Sequence, residues 1–288
     1  MSIPSPADAN GPSPISHYEN FPVASVLCPP RLRPPIAAIY HFARTADDIA
    51  DEGDAPAQQR LEQLAAMHDD LLAVAAGQPH SGRWPQVFGP LATMIRAFEL
   101  PVPLLADLLD AFTQDVIKTR HQAGYADQAE LLDYCRRSAN PVGRLLLHLY
   151  GVREEAALRM SDNICTALQL INFWQDLSLD IPRGRHYLPA QDCAAQGVTF
   201  EDLKTLRQSP NASRLIADQV QLARARMQRG APLVHRVPGR AGWELRLVVQ
   251  GGLRILDKIE ALNFATLQTR PRLGPLDIVV MGWRSLWM

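Results

Sequence analysis

Much of what this sequence lacks is as informative as what it holds. No run of about 20 apolar residues occurs, so nothing reads as a membrane-spanning helix. Alternating β-branched segments never extend beyond about four residues, which removes the usual strand signal and leaves an all-α reading. Charge of one sign is missing too. Lys and Arg number 29 against 30 Asp and Glu, a formal net charge of −1, and no basic patch is dense enough for a nucleic-acid partner. The four cysteines, Cys28, Cys135, Cys165 and Cys193, are scattered with no C-x-x-C pair. That pattern fits reduced thiols in the cytoplasm better than a disulfide framework or a zinc site. The opening residues have neither a basic n-region nor an apolar h-region, so 1–16 reads as a disordered Pro-rich leader, not a signal peptide. Repeats and long linkers are also absent. The remainder predicts one all-α domain over 17–270 and an apolar tail helix over 271–288.

Within that domain, helical periodicity begins at Pro34-Pro35 and runs to Gly53. Further helices are expected over 57–76, 84–98, 103–118, 127–150 with a kink at Asn140-Pro141, 153–179, 199–207, 210–229 and 241–267. Two of them carry polar stripes. Gln169, Asn172, Asp176 and Asp180 step by three, four and four, and so share one helix face. Leu170, Ile171, Phe173, Trp174, Leu177 and Leu179 surround them, so that helix is buried and its stripe must face something other than bulk water. Tyr40, Arg44, Asp47 and Asp51 form the matching stripe near the amino end, with Asp48 and Glu52 alongside. Like charges four apart destabilise a helix, so two such clusters imply a shared counter-charge. Carboxylates without His or Cys favour a hard ion such as Mg²⁺, which uses one or two carboxylates plus substrate phosphates. A solvated helix end is the bland alternative for the first cluster alone. The basic loop Ile181-Pro-Arg-Gly-Arg-His-Tyr-Leu-Pro189 follows directly after the second.

The two motifs, Asp47-Asp48-Ile49-Ala50-Asp51 and Asp176-Leu177-Ser178-Leu179-Asp180, resemble those of squalene and phytoene synthases. The resemblance extends from His17-Tyr-Glu-Asn-Phe21 through Tyr40, Arg44, Tyr134, Val142-Gly143, Gln169, Asn172 and Arg183…Tyr187-Leu188-Pro189 to Ile255-Leu256-Asp257-Lys258-Ile259-Glu260. It implies an all-α isoprenoid-synthase bundle with a central active-site cavity, in which the two motifs face each other and bind a diphosphate through Mg²⁺. Two departures point to a branch. Members making phytoene or squalene commonly carry a Tyr where this chain has Gly251-Gly252. They also more often have Val-Ala-Gly-Thr-Val-Gly where Arg137-Ser-Ala-Asn-Pro-Val-Gly143 stands here. Together with the His17 and Asp47 segments, this is similar to the bacterial hopanoid-pathway branch known as HpnC, a hydroxysqualene synthase type.

For that branch the resemblance implies ionisation of presqualene diphosphate, rearrangement and capture by water, giving hydroxysqualene and diphosphate without NADPH. A presqualene diphosphate synthase upstream and a flavin-dependent oxidoreductase downstream are implied as functional partners. Three Mg²⁺ ions are expected on Asp47, Asp51, Asp176 and Asp180, with Asn172 helping and Asp48 sharing metal work. Arg44, Arg183, Arg185, Gln169, His17 and Phe21 are the expected substrate contacts. The alternative for Arg44 is an ion pair with Asp47, Asp48 or Asp51, and for the loop arginines a solvated position. Tyr134, Tyr40, Tyr187 and Asn172 are the expected catalytic groups, with Phe21, Phe173 and Trp174 as further aromatic walls for a carbocation. Loss of the tyrosine at Gly252 is expected to open room for water, with Arg137 and Asn140 near it. The tail, with Trp283 and Trp287, suits either core packing or contact with the inner face of the cytoplasmic membrane. Two other readings use the same residues. One is condensation of two farnesyl diphosphates to presqualene diphosphate or squalene, or a head-to-head C30 carotenoid synthase. The other is a non-catalytic assembly factor, which four intact aspartates disfavour.

Overall fold

Proline sets the starts of many helices. In the computed structural model, which describes residues 28–288, a proline sits in the first turn of α1 (Arg33–Asp51), α3 (Pro85–Phe98), α4 (Val102–His121), α6 (Asn140–Leu149), α11 (Pro210–Gly230) and α13 (Pro275–Leu286). There its fixed φ suits the helix and its missing N–H costs nothing. The other helices are α2 (Ala57–Ala75), α5 (Gln128–Ser138), α7 (Glu155–Gln175), α8 (Leu177–Asp180), α9 (Ala190–Ala195), α10 (Phe200–Lys204) and α12 (Arg240–Ala261). No strand occurs among the described residues. The described residues form an all-α bundle, as the sequence pattern predicts.

Two hydrophobic cores organise the bundle. One is built on α1 to α4 and includes Phe42, Met67, Leu71, Phe88 and Leu105, with Leu145 and Leu149 contributed by α6. The other is built around α7 and includes Leu170, Trp174, Val220, Met227, Leu256 and Ile259. Within it α7 packs most extensively against α11, and also meets α5, α6 and α12. Helix α1 therefore belongs to one core and α7 to the other, and the two acidic stripes face each other where the cores meet.

Helix boundaries differ from the sequence expectation at several points, three of them around α5–α7 and α12. The helix expected over 153–179 stops at Gln175, because Asp176 leaves helical geometry at φ −105° and ψ 12°. Its neighbours explain this. Gln175 donates to the carbonyl of Pro271 at 2.8 Å, and Arg270 grips Asp176 with Nε at 2.5 Å and Nη2 at 3.0 Å. The N–H of Asp180 still reaches the carbonyl of Asp176 at 2.9 Å, so the stripe survives the interruption. The kink at Asn140-Pro141 is complete enough to divide α5 from α6 at Ala139. The helix expected to reach Leu267 ends at Ala261, where Asn263 and Phe264 take positive φ of 51° and 61°. No glycine or proline marks that stop.

The last helix, α13, lies antiparallel along α12. Asp277 accepts from Arg254 Nε at 2.6 Å and the backbone N–H of Gly274 at 2.6 Å, and pairs with Lys258 Nζ at 2.8 Å. Arg246 donates to the carbonyl of Ser285 at 3.1 Å. Its inward face thus carries Asp277 and Ser285. Its outward face carries Leu276, 82% exposed, Trp283, 64%, and Trp287, 77%.

Candidate active site

Between the two cores lies a cavity of about 350 Å³. Apolar side chains from both cores form most of its wall, among them Ile36, Ile39, Leu147, Leu168, Leu245 and Val248. Its polar end is made by Tyr40, Arg44 and Asp47 of α1 and by Gln169 and Asn172 of α7. Arg44 and Asp47 also border a second, polar hollow of about 690 Å³, shared with Asp51, Glu52, Arg60, Arg120, Arg183 and Arg185. A mostly apolar chamber therefore borders a charged antechamber at Arg44 and Asp47.

One guanidinium joins the facing acidic helices. Arg185 lies 2.7 Å from Asp51 and 3.9 Å from Asp180. Arg44 meets Asp47 at 3.2 Å, Asp48 at 2.7 Å and Glu52 at 2.9 Å, so the ion-pair reading of Arg44 holds in this state. Even so, the carboxylates are under-compensated. Burial and the Asp51 charge push Asp47 up to about 7 against the pull of Arg44. Burial pushes Asp180 up to about 6 against the pull of Arg185. Crowded, desolvated carboxylates are ionised more readily when a cation joins them. Among the described residues no three acidic or imidazole groups converge on one point. Mg²⁺ needs no such cage, since it takes one or two carboxylates and completes its shell with water and substrate phosphates. The oxygen-only donor set fits that ion.

The expected aromatic residues are divided. Tyr40 lines the cavity. Tyr134, Tyr187 and Phe173 form a buried stack with Tyr125 beside it, Phe173 and Tyr187 lying 3.7 Å apart and nearly parallel. The Tyr134 hydroxyl donates to Asp115 Oδ2 at 2.5 Å. Burial, partly opposed by that hydrogen bond, raises Asp115 to about 7. Trp174 is fully buried in the α7 core and is no part of the cavity wall. His17 and Phe21 lie outside the described residues.

Two expectations about the water are corrected. Gly252 opens no space: a Cβ there would stand 2.7 Å from Met227 Cε and 3.2 Å from both Ile171 Cδ1 and Leu168 Cδ2. Met227 fills what the missing side chain vacates. Arg137 is held by Gln114 and Asp133, and Asn140 accepts from Thr166 at 2.9 Å; neither borders the cavity. Sequence reasoning missed Arg270 and Asp115. Neither lies in an acidic stripe or in the basic loop, and only the fold brings Arg270 against Asp176, 94 positions away.

The Squalene/phytoene synthase family model matches residues 16–277. The chain belongs to the squalene/phytoene synthase family. It is an isoprenoid synthase. It is 32% identical to the hydroxysqualene synthase of Rhodopseudomonas palustris over 93% of this chain and 88% of that one. It is 33% identical to the hydroxysqualene synthase of Sinorhizobium fredii over 95% of this chain and 90% of that one. Among solved structures, squalene synthase HpnC from Alicyclobacillus acidocaldarius superposes with a TM-score of 0.78 at 35% identity, covering 86% of this chain and 90% of that chain.

Proposed function

We propose that this synthase converts presqualene diphosphate into hydroxysqualene and diphosphate, with Mg²⁺ and without NADPH. The observation that carries this is the junction at Arg44 and Asp47, where an apolar chamber meets a charged antechamber. A substrate with a long hydrocarbon body and a diphosphate head fits that shape. The likeness to hydroxysqualene synthases selects the alcohol as product.

Asp47, Asp51, Asp176 and Asp180, with Asn172 and Asp48 beside them, are the residues that would hold Mg²⁺, three ions in our reading. When bound, the metal stabilises negative charge on the leaving diphosphate. Arg44, Arg183 and Arg185 border the antechamber and are available to bond phosphate oxygens, a geometry that planar guanidinium groups match. For Arg44 and Arg185 this means exchanging carboxylate partners for phosphate. Gln169 and Tyr40 orient the substrate where head and body join. The apolar wall excludes bulk water from the carbocation, and the Tyr134–Tyr187–Phe173 stack braces α7 behind it. His17 and Phe21 remain proposed substrate contacts on the family pattern.

A substrate and product this apolar travel in lipid, and α13 supplies a surface for it. Leu276, Val279, Trp283, Leu286 and Trp287 recur at helical spacing on the outward face. The helix's acidic group, Asp277, is turned inward, while Arg284 and Arg272 are exposed at the rim. Tryptophan beside basic residues suits the headgroup region of an anionic bilayer. We place the enzyme at the inner face of the cytoplasmic membrane, taking its substrate from a presqualene diphosphate synthase and passing its product to a flavin-dependent oxidoreductase. No helix among the described residues is long and apolar enough to cross a membrane.

The test is incubation of purified protein with Mg²⁺ and presqualene diphosphate in the absence of NADPH. Hydroxysqualene and diphosphate are expected, and both disappear in Asp176→Ala. Formation of presqualene diphosphate from farnesyl diphosphate, with no alcohol from presqualene diphosphate, would refute the assignment.

A further inference from the structure

The chamber has a floor at the end away from its charged residues. Along α7 its lining runs from Asn172, beside the antechamber, down to Ser161, a distance of about 16 Å at the rise of an α-helix. Helix α6 lies antiparallel to this stretch. Asn140 meets Thr166, and further along Arg144 Nη2 meets Asp162 at 2.7 Å. Tyr150, which follows α6 and also lines the chamber, therefore lies deeper than Ser161.

The chain around Tyr150 holds its ring in that place. Gly151, at φ 73°, ends α6 in the left-handed conformation that glycine takes most readily. Side chains of a helix lean toward its N-terminus, so the Tyr150 ring leans back along α6 toward the chamber. Its hydroxyl donates to Cys28 Sγ at 3.9 Å, and Cys28 is buried and borders the same end. Leu233, Val237 and Ala241 complete the floor. Their segment presses on α7 through Gly230, where a Cβ would stand 2.6 Å from the Met160 carbonyl oxygen.

Building on the function proposed above, we infer that Tyr150 is a specificity-determining residue that stops the prenyl arm lying along α7 and limits it to farnesyl length. The twelve-carbon backbone of a farnesyl arm spans about 13 Å, at roughly 1.2 Å per bond of an extended chain. That fits within the distance from Asn172 to Ser161. One further isoprene unit adds about 5 Å, which carries the end of the arm past Ser161 and into the ring. The ring yields only by leaving Cys28 and displacing the buried Leu233 beside it. Tyr150 thus measures the hydrocarbon body and has no contact with the diphosphate or its metal.

The experiment gives wild type, Tyr150→Ala and Tyr150→Phe, with Mg²⁺, presqualene diphosphate and its two homologues in which one farnesyl arm or the other is longer by one isoprene unit. Diphosphate release gives kcat/KM for each substrate. Wild type is expected to prefer presqualene diphosphate over both homologues. In Tyr150→Ala the relative kcat/KM for one homologue is expected to rise about tenfold or more, the scale on which an apolar pocket discriminates by size. Tyr150→Phe, which keeps the ring and loses the hydroxyl, is expected to retain the wild-type preference. If Tyr150→Ala does not fold, Tyr150→Leu reads the same ratio. Unchanged discrimination in the truncated variant overturns the inference, and so does a wild type that accepts both homologues as well as presqualene diphosphate. Failure of the parent reading shows separately, as absence of diphosphate release from presqualene diphosphate by the unmodified enzyme.

Discussion

Gly252 gives the most direct check on the packing behind the cavity. Alanine in a helix interior is favoured over glycine by about 1 kcal/mol. In α12 the added methyl would sit 2.7 Å from the Met227 Cε and 3.2 Å from Ile171 and Leu168, and overpacking of this kind costs about 1–3 kcal/mol. The net expectation for Gly252→Ala is destabilisation of about 0–2 kcal/mol, because the nearest atom is the end of a flexible side chain. Met227→Ala alone removes a fully buried side chain and costs about 2–5 kcal/mol. In the double variant the clash has no partner while the helix gain persists, so the pair is less destabilised than the sum by about 1–3 kcal/mol. Thermal unfolding reads this as about 2–4 °C per kcal/mol for a chain of this size. Additivity to within about 0.5 kcal/mol, or a Gly252→Ala melting point raised by the full propensity gain, would refute the claim that Met227 occupies the space.

Other expectations concern the charged groups. Arg270→Met removes the fork that fixes Asp176 and is expected to lower Mg²⁺-dependent diphosphate release about tenfold or more, as loss of a group orienting a metal ligand commonly does; unchanged Mg²⁺ titration curves would contradict it. Asp115 is raised from 3.8 to about 7, chiefly by burial. The folded state therefore holds a proton that the unfolded chain has released, and stability falls as pH rises between those two values. Asp115→Asn is expected to flatten that part of the Tm–pH curve, and an unaltered slope would rule the carboxyl out. Leu276→Asp with Trp283→Asp is expected to abolish co-sedimentation with anionic vesicles while leaving turnover of detergent-dispersed substrate intact. Retained sedimentation would mean that α13 is not the lipid face.

The acidic stripes were legible because their spacing is local. Residues three and four apart share a face whatever the fold does later, so Tyr40, Arg44, Asp47 and Asp51 on one helix, and Gln169 through Asp180 on the other, could be read off directly. The missing β signal gave the all-α class in the same way. What escaped was set at long range. Asp176 breaks its helix because Arg270 and the Pro271 carbonyl claim it and its neighbour. The α12 stop rests on two left-handed residues, Asn263 and Phe264, with neither glycine nor proline to announce it. At Gly252 the sequence offers an absence, and only the fold shows that Met227 has moved into it.

The division into two cores has a consequence for how the enzyme meets its substrate. Ile39 comes from one core and Leu168 from the other, and both face the same empty volume. Lining atoms without neighbours forgo dispersion contacts, and such a void costs stability in proportion to its size. A prenyl chain bound in that volume would complete the interior, touching both halves at once as a core side chain does. Substrate then acts as the last piece of the hydrophobic core. The unliganded enzyme should loosen along the seam between α1 and α7 first, and affinity for the hydrocarbon body is, in part, the free energy of finishing the fold.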